Sequence, residues 1–411
     1  MTTSRFMPAA VTLFACLGLS AAGCRGGSEP ASPFTVEEPA SRVATRDGVP
    51  LYRKVILTPV TNVDTIYRSM QGPISIHRFE LEAGGRPELL WVTGYDAVMV
   101  GPDGETQMSQ EYMCHSNLSI RPGSGFVFLF PTQVQPSGGR LFSLAQGQLS
   151  VRLPAGFGVP VLANQTLQLA AQVLNLNAPA HPFAVRHKIG VEFVRDRDLA
   201  RPLTPLMPRA VFGMKLLEGP DGHYGVSPDE VSREAHGEGC QVGQDVKSPF
   251  PAVMTDLSGR SFTGHWVLKP GREENHTLVT RLLDLPYDTV VHYAAVHLHP
   301  FAESIELRDL TAHKTLIKTR ARQVGDGIGL AEVESFSSRE GVPLFKDHEY
   351  EVVSIYDNTS GADQDAMATI FLYLAVKDLD LSAYRRGAVR GAERLQEPVA
   401  VEQNVGVIRP L

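Results

Sequence analysis

Short apolar runs with a period of two, each closed by turn residues, constrain this chain more than any other feature. Leu89-Leu90-Trp91-Val92, Phe126-Val127-Phe128-Leu129-Phe130, Leu167-Gln168-Leu169-Ala170-Ala171-Gln172-Val173, Ile189-Gly190-Val191-Glu192-Phe193 and Tyr350-Glu351-Val352-Val353-Ser354-Ile355-Tyr356 are examples. Side chains leave a strand on alternate faces, so this alternation marks half-buried strands, and long stretches with the helical period are nearly absent. The 37 glycines and 29 prolines supply many turns and argue against a helical bundle. The pattern predicts an all-β chain of two antiparallel sandwich domains, at residues 50–195 and 210–380. Between them, residues 196–209 are charged, carry three prolines and read as a linker. A Gly- and acid-rich stretch from Glu218 to Gly243 reads as a long loop, and 381–411 as a polar tail.

The front of the chain points to export. Arg5 precedes an apolar, small-residue stretch from Pro8 to Gly23, with no acidic residue before Cys24. The stretch is too short and too poor in large aliphatic residues for a membrane span, and it reads as a signal peptide over 1–23. Its end, Leu19-Ser20-Ala21-Ala22-Gly23-Cys24, resembles a bacterial lipoprotein signal, although Ala21 stands where Leu is usual. That resemblance implies lipidation of Cys24, a tether over 24–49, and a protein held on a bacterial membrane facing the periplasm or the cell surface. An ordinary secretory signal cut nearby is the alternative. Formal charge is −7, which gives nucleic acid no basic surface to bind. Outside the signal and Cys24, only Cys114 and Cys240 remain; in an oxidising compartment they form either one disulfide or two thiols, one of them within reach of a metal.

One strand-like run carries chemistry. Tyr293-Ala294-Ala295-Val296-His297-Leu298-His299-Pro300 puts His297 and His299 on one face, roughly 6.6–6.8 Å apart at Cα, where two imidazoles can hold one ion. Farther on, Asp365-Ala366-Met367-Ala368 opens the apolar run Thr369-Ile370-Phe371-Leu372-Tyr373-Leu374. A thioether beside two imidazoles favours copper, since sulfur suits Cu(I) and imidazole serves both oxidation states. Zinc is the other candidate, although Met is a poor zinc ligand. Asp365, two residues from Met367, faces the same side and is placed to hydrogen-bond a ligating histidine. His265 is placed to orient such a ring in the same way.

Trp266-Val267-Leu268-Lys269-Pro270-Gly271, followed by the run into His297-Leu298-His299, resembles the second domain of the copper type II, ascorbate-dependent monooxygenases (the peptidylglycine α-hydroxylating and dopamine β-monooxygenases). In that family a V-x-x-P-G turn leads to a strand ending in H-x-H, and a Met precedes the closing strand. Lys346-Asp347-His348-Glu349-Tyr350, Tyr356-Asp357-Asn358-Thr359 and Met367 follow in the matching order. In the first domain, Leu153-Pro154-Ala155-Gly156-Phe157-Gly158-Val159 and Leu169-Ala170-Ala171-Gln172-Val173 also resemble the family. The resemblance implies two jelly-roll domains and an oxygen-activating copper on His297, His299 and Met367. It also implies a second, electron-supplying copper in the first domain, across a solvent-filled cleft.

That second site departs from the family pattern. Met113-Cys114-His115-Ser116 offers one histidine where the family has two, and no histidine follows Gln172-Val173 directly. His115, with His181 and His187, is the candidate set for a second metal; a hydrogen-bonded structural role is the other reading of His115. His292 lies an odd number of residues before His297 and is expected on the opposite face. His276, His313 and His348 sit in polar contexts, and Arg272, Glu273 and Glu274 read as a solvated rim. Two functions follow. One is a copper-dependent monooxygenase that hydroxylates a small substrate using an external reductant. The other is a non-catalytic copper-binding or carrier lipoprotein.

Overall fold

The computed structural model describes residues 35–46, 48–69, 71–82, 88–120, 139–217, 253–255, 259–377, 379 and 381. These form an all-β protein of two antiparallel sandwiches, and Thr280–Leu283 is the one α-helix among them. In the first sandwich, strands Val49–Leu57, Phe183–Arg195, Leu89–Val100 and Phe157–Leu162 lie side by side. They face a four-stranded sheet ordered Ile74–Phe79, Leu167–Val173, Met113–Ile120, Arg140–Ala145. Ile56, Val92, Ala97, Leu118, Leu144 and Leu169 from the two sheets share one buried core.

The second sandwich sets Thr204–Phe212, Ala368–Ala375, Thr289–Leu298 and Phe336–Leu344 against a five-stranded sheet. That sheet is ordered Gly271–Leu278, Tyr350–Asn358, Ala302–Asp309, Lys314–Gln323, Leu330–Val333. One short parallel contact, Phe157↔Thr204 and Gly158↔Pro205, joins the larger sheets of the two domains into a single sheet.

The pair Thr289–Leu298 and Ala368–Ala375 is buried on both faces, and the period of two divides its side chains between two cores. Ala294, Val296, Leu298, Ala368, Ile370 and Leu372 belong to the core of the second domain. Tyr293, Ala295, Phe371 and Tyr373 belong to the core of the first. The sheet is therefore the partition between the domains, and the face that continues into His297 and His299 looks at the first domain. Buried hydrogen bonds cross this partition. Tyr373 Oη donates to the Leu141 carbonyl at 3.0 Å, and the Val296 N–H to Gln148 Oε1 at 3.1 Å. The N–H groups of Leu330 and Val333 donate to Gln146 Oε1 (2.7 Å) and to the Gly147 carbonyl (2.9 Å).

Ordered strand extends into two segments read as connectors. Within the tether at 24–49, Val36–Glu37 and Ser41–Arg46 both pair with Val49–Leu57, because Ser41–Arg46 turns back through Gly48 at φ 79°. Within the linker at 196–209, a strand begins at Thr204 and pairs with Ala368–Ala375 despite Pro205 and Pro208. Proline removes a donor and keeps its acceptor, and the Val376 N–H donates to the Pro205 carbonyl at 3.0 Å. Glu273 is not solvated: it is 15% exposed, 2.8 Å from Lys215 Nζ, and accepts from Trp266 Nε1. The signal at 1–23, Cys24, Cys240, the loop Glu218–Gly243 and all of the tail but residue 381 lie outside the described residues.

Tyr373→Phe leaves the buried Leu141 carbonyl without its donor, an expected loss of about 1–3 kcal/mol. Denaturant unfolding checks this, and a shift in midpoint without a change in slope identifies a pure stability effect.

Candidate metal centre

The centre forms where the partition sheet ends. His297 pairs with Thr369 and Leu298 with Ala368. One step on, the His299 N–H donates to the Met367 carbonyl at 3.2 Å. Directly opposed residues of an antiparallel pair share a face, which sets His297 beside Thr369 on the side of the first domain, and Met367 lies opposite His299 one residue beyond the ladder. Tyr356 Oη also donates to the Met367 carbonyl, at 2.6 Å, and fixes that backbone from the other sandwich sheet. After His299 and Pro300 the chain turns sharply at Phe301, whose φ of 71° is costly for a residue with a Cβ. Two hydrogen bonds hold it there: Gln323 Oε1 accepts from the Phe301 N–H at 2.8 Å, and the Asp357 N–H donates to its carbonyl at 2.8 Å.

His265 and Asp365 reach the same place by another pairing. Trp266–Leu268 pairs with Gln364–Ala366 in the register Trp266↔Ala366, Val267↔Asp365. After Leu268 the chain turns at Gly271, at φ 105°, into the strand Gly271–Leu278. Asp365 Oδ2 lies 2.9 Å from His265 Nε2 and 3.2 Å from His299 Nδ1. The ligand atoms of His265, His299 and Asp365 all fall within 4.8 Å of one another. His299 Nε2 is 3.3 Å from Ser69 Oγ of the first domain. The His299 ring centroid is 5.3 Å from those of His297 and His265.

Burial controls the charge at these groups. It pushes the His297 imidazolium well below its ordinary range, and the neighbouring His299 and His115 rings add to the effect. Burial opposes ionisation of Asp365, but the His299 and His265 rings beside it outweigh that and hold the carboxyl below the usual carboxylate range. His297 is thus held as the neutral ring and Asp365 as the carboxylate, protonation states that bind metals.

The first-domain histidines divide. His115, opposite Ala145 and Gln172, and His187, on the facing sheet, are both buried. Burial, aided by Arg140, His187 and His299, pushes His115 down to about 3, and burial pushes His187 down to about 4. His181 is exposed and lines a separate surface groove with Tyr112 and Asn177. The structure therefore brings His115 toward the H-x-H histidines and leaves His181 apart from them. His292 sits at a strand irregularity, its ring centroid 4.1 Å from that of Phe157. His276 is flanked by Glu351 and Glu274, and His348 by Asp309, while His313 is exposed.

A recess of about 30 Å³ opens beside His297 and His299, lined also by Ser69, Cys114, Gln146 and Asp365. Sequence reasoning missed Ser69, Gln146 and Arg140. None carries a local signal, because each reaches the centre only through the packing of one domain on the other.

No family model matches the chain, and no curated protein matches it. Among solved structures it is similar to the major capsid protein P2 of bacteriophage PM2, at 11% identity and a TM-score of 0.27, over 78% of this chain and 99% of that one. It is also similar to the plant receptor-like kinase ANX2, at 7% identity and a TM-score of 0.17, over 84% of this chain and 89% of that one.

His187→Asn replaces a titrating ring with an amide of similar reach. An imidazole with a depressed native pKa binds its proton first in the unfolded chain, so stability falls as pH drops below about 6.5 and goes on falling until the native value is reached. For His187 that window runs from about 6.5 to about 4. Within it the metal-free wild type is expected to lose up to about 1.4 kcal/mol per pH unit more than the variant. Unfolding free energies of both proteins at pH 7, 6 and 5 check this; parallel slopes would contradict it.

Proposed function

We propose that the chain is an exported copper-dependent oxidoreductase of the monooxygenase type, with its centre on His297, His299 and Met367. The observation that carries this reading is the pair of buried imidazoles at one end of the partition sheet, with the Met367 backbone held opposite His299. The donor set fits the ion: two imidazoles and a thioether suit copper in both oxidation states. His297 Nε2 and the opposing Thr369 Oγ1 are both buried without a hydrogen-bond partner among the described residues. An orphaned buried polar atom costs about 1–3 kcal/mol, which a ligand bond to His297 would offset.

Bound copper supplies one-electron redox chemistry toward dioxygen. The balance is that one C–H bond, one O2, two electrons and two protons give one C–OH group and one water, the electrons coming from a small external reductant such as ascorbate. The protein's residues hold the geometry for this. Asp365 fixes the His299 ring from Nδ1, leaving Nε2 toward the recess. The Tyr356 hydroxyl and the His299 N–H clamp the Met367 backbone. Closure by the first domain keeps bulk water out. Under this reading lipidated Cys24 tethers the protein to a bacterial membrane, and its partners are a small substrate and the reductant.

A non-catalytic copper carrier is the second reading, and the recess favours it. At about 30 Å³ it holds about two water-sized molecules, whereas substrate sites run to about 300–1,000 Å³. His115 lies buried toward the same centre and His181 lines a separate surface groove, so these histidines do not form one set among the described residues, and a carrier needs no second copper.

Copper content and turnover separate the two. The expected result is bound copper with reductant-dependent O2 consumption that rises when a hydroxylatable substrate is added; tight binding without that consumption supports the carrier. His297→Ala and His299→Ala are expected to abolish Cu(I) binding, and Met367→Ala to weaken it. Equal binding by all three variants would refute the centre. Cys24→Ala is expected to move the protein from the membrane to the soluble fraction.

A further inference from the structure

We propose a second cation position at this centre, formed by His265, His299 and Asp365, that takes a harder first-row divalent ion and competes with copper for His299. The inference shares only His299 with the copper reading and survives its failure, since neither His297 nor Met367 takes part.

The geometry is that of adjacent ligands on one ion. Metal–ligand bonds of about 2.0–2.2 Å place neighbouring donors about 3–3.5 Å apart. Asp365 Oδ2 lies 2.9 Å from His265 Nε2 and 3.2 Å from His299 Nδ1, and all three donors lie within 4.8 Å of one another. Two imidazoles and one carboxylate with further positions open form a set suited to iron(II), cobalt(II) or zinc(II), and none of the donors is a soft sulfur. Both histidines are buried, with side chains 9% and 8% exposed, while the Asp365 side chain is 27% exposed and gives an entering ion a route from solvent.

His299 makes the two positions exclusive. A neutral imidazole has one N–H and one lone pair. With the lone pair on Nε2, the ring faces the recess and donates from Nδ1 to Asp365. With the lone pair on Nδ1, the ring ligates beside Asp365 and donates from Nε2 to Ser69 Oγ, 3.3 Å away. Each tautomer has a partner for its proton, so the ring can serve either ion without strain and only one ion at a time.

The experiment is a titration of the metal-free full chain with cobalt(II), read by its visible d–d absorption. The expected result is one saturable equivalent, weakened at least about tenfold by Asp365→Asn and by His265→Gln, and unchanged in His297→Ala and Met367→Ala. Preloading wild type with Cu(I) is expected to raise the apparent Kd for cobalt, and His297→Ala to remove that competition. No saturable cobalt binding, wild-type binding by Asp365→Asn, or loss of cobalt in His297→Ala would each overturn the proposal. Far-UV circular dichroism and thermal unfolding of each variant exclude loss of fold as the cause, and Asp365→Asn keeps the shape of the side chain. If cobalt binds as described while Cu(I) binding ignores His297 and Met367, the copper reading fails and this one stands.

Discussion

The sheet made by Thr289–Leu298 and Ala368–Ala375 is shared by two hydrophobic cores, and the site exists because of that sharing. A strand with one wet face would put every second residue in water. Here both faces are dry: one set of alternate residues packs into the second domain and the other into the first. His297 and His299 fall at the end of the set that meets the first domain. Their burial follows from the register and not from any affinity of imidazole for the interior. A one-residue slip would exchange the two sets and place both rings among Ile305, Leu307 and Tyr356 of the second core.

Burying titratable groups on such a face carries a cost, and the arrangement shows how it is met. Imidazoles lose little on burial when they stay neutral, and the depressed His115, His187 and His297 do so. A carboxylate cannot escape so cheaply. Asp365 stays ionised because His265 and His299 converge on one of its oxygens. The two-stranded pairing of Trp266–Leu268 with Gln364–Ala366 delivers that carboxylate, and Trp266 anchors it by packing edge-on to Tyr356, centroids 5.9 Å apart. Tyr356 in turn holds the Met367 carbonyl, so the side that carries the acid and the side that carries the thioether share one aromatic support.

Much of this was legible in the sequence, for a definite reason. Period-two alternation is local, so the strands and the two-sandwich class could be read from runs such as Ile189–Phe193 and Tyr350–Tyr356. The common face of His297 and His299 followed from the same rule, and the approach of Asp365 to His299 agrees with the side read for it. What could not be read was long-range. Pro205 and Pro208 suggested a linker, yet the strand from Thr204 is recruited by Ala368–Ala375, a partner some 160 positions away. Ser41–Arg46 looked like tether because nothing local reveals that Val49–Leu57 needs an edge neighbour. Glu273 looked solvated until Lys215 and Trp266 closed over it.

The approach of His115 to the H-x-H histidines belongs to the same long-range category, and it changes how the centre should be understood. Sequence spacing treats the histidines of each domain as separate sets, each completing its own site. The partition sheet removes that separation: hydrogen bonds that Gln146, Gly147 and Gln148 accept from N–H groups of the second domain draw the Met113–Ile120 strand's neighbours against the face that carries His297 and His299. His115 then contributes to the electrostatics of His297, and Ser69 to the proton of His299. Metal affinity at such a centre depends on the fit between the domains as much as on the ligands. Loosening the Gln148–Val296 or Tyr373–Leu141 contacts would hydrate the imidazoles, let them protonate near their ordinary pH, and weaken the hold on any ion without touching a ligand.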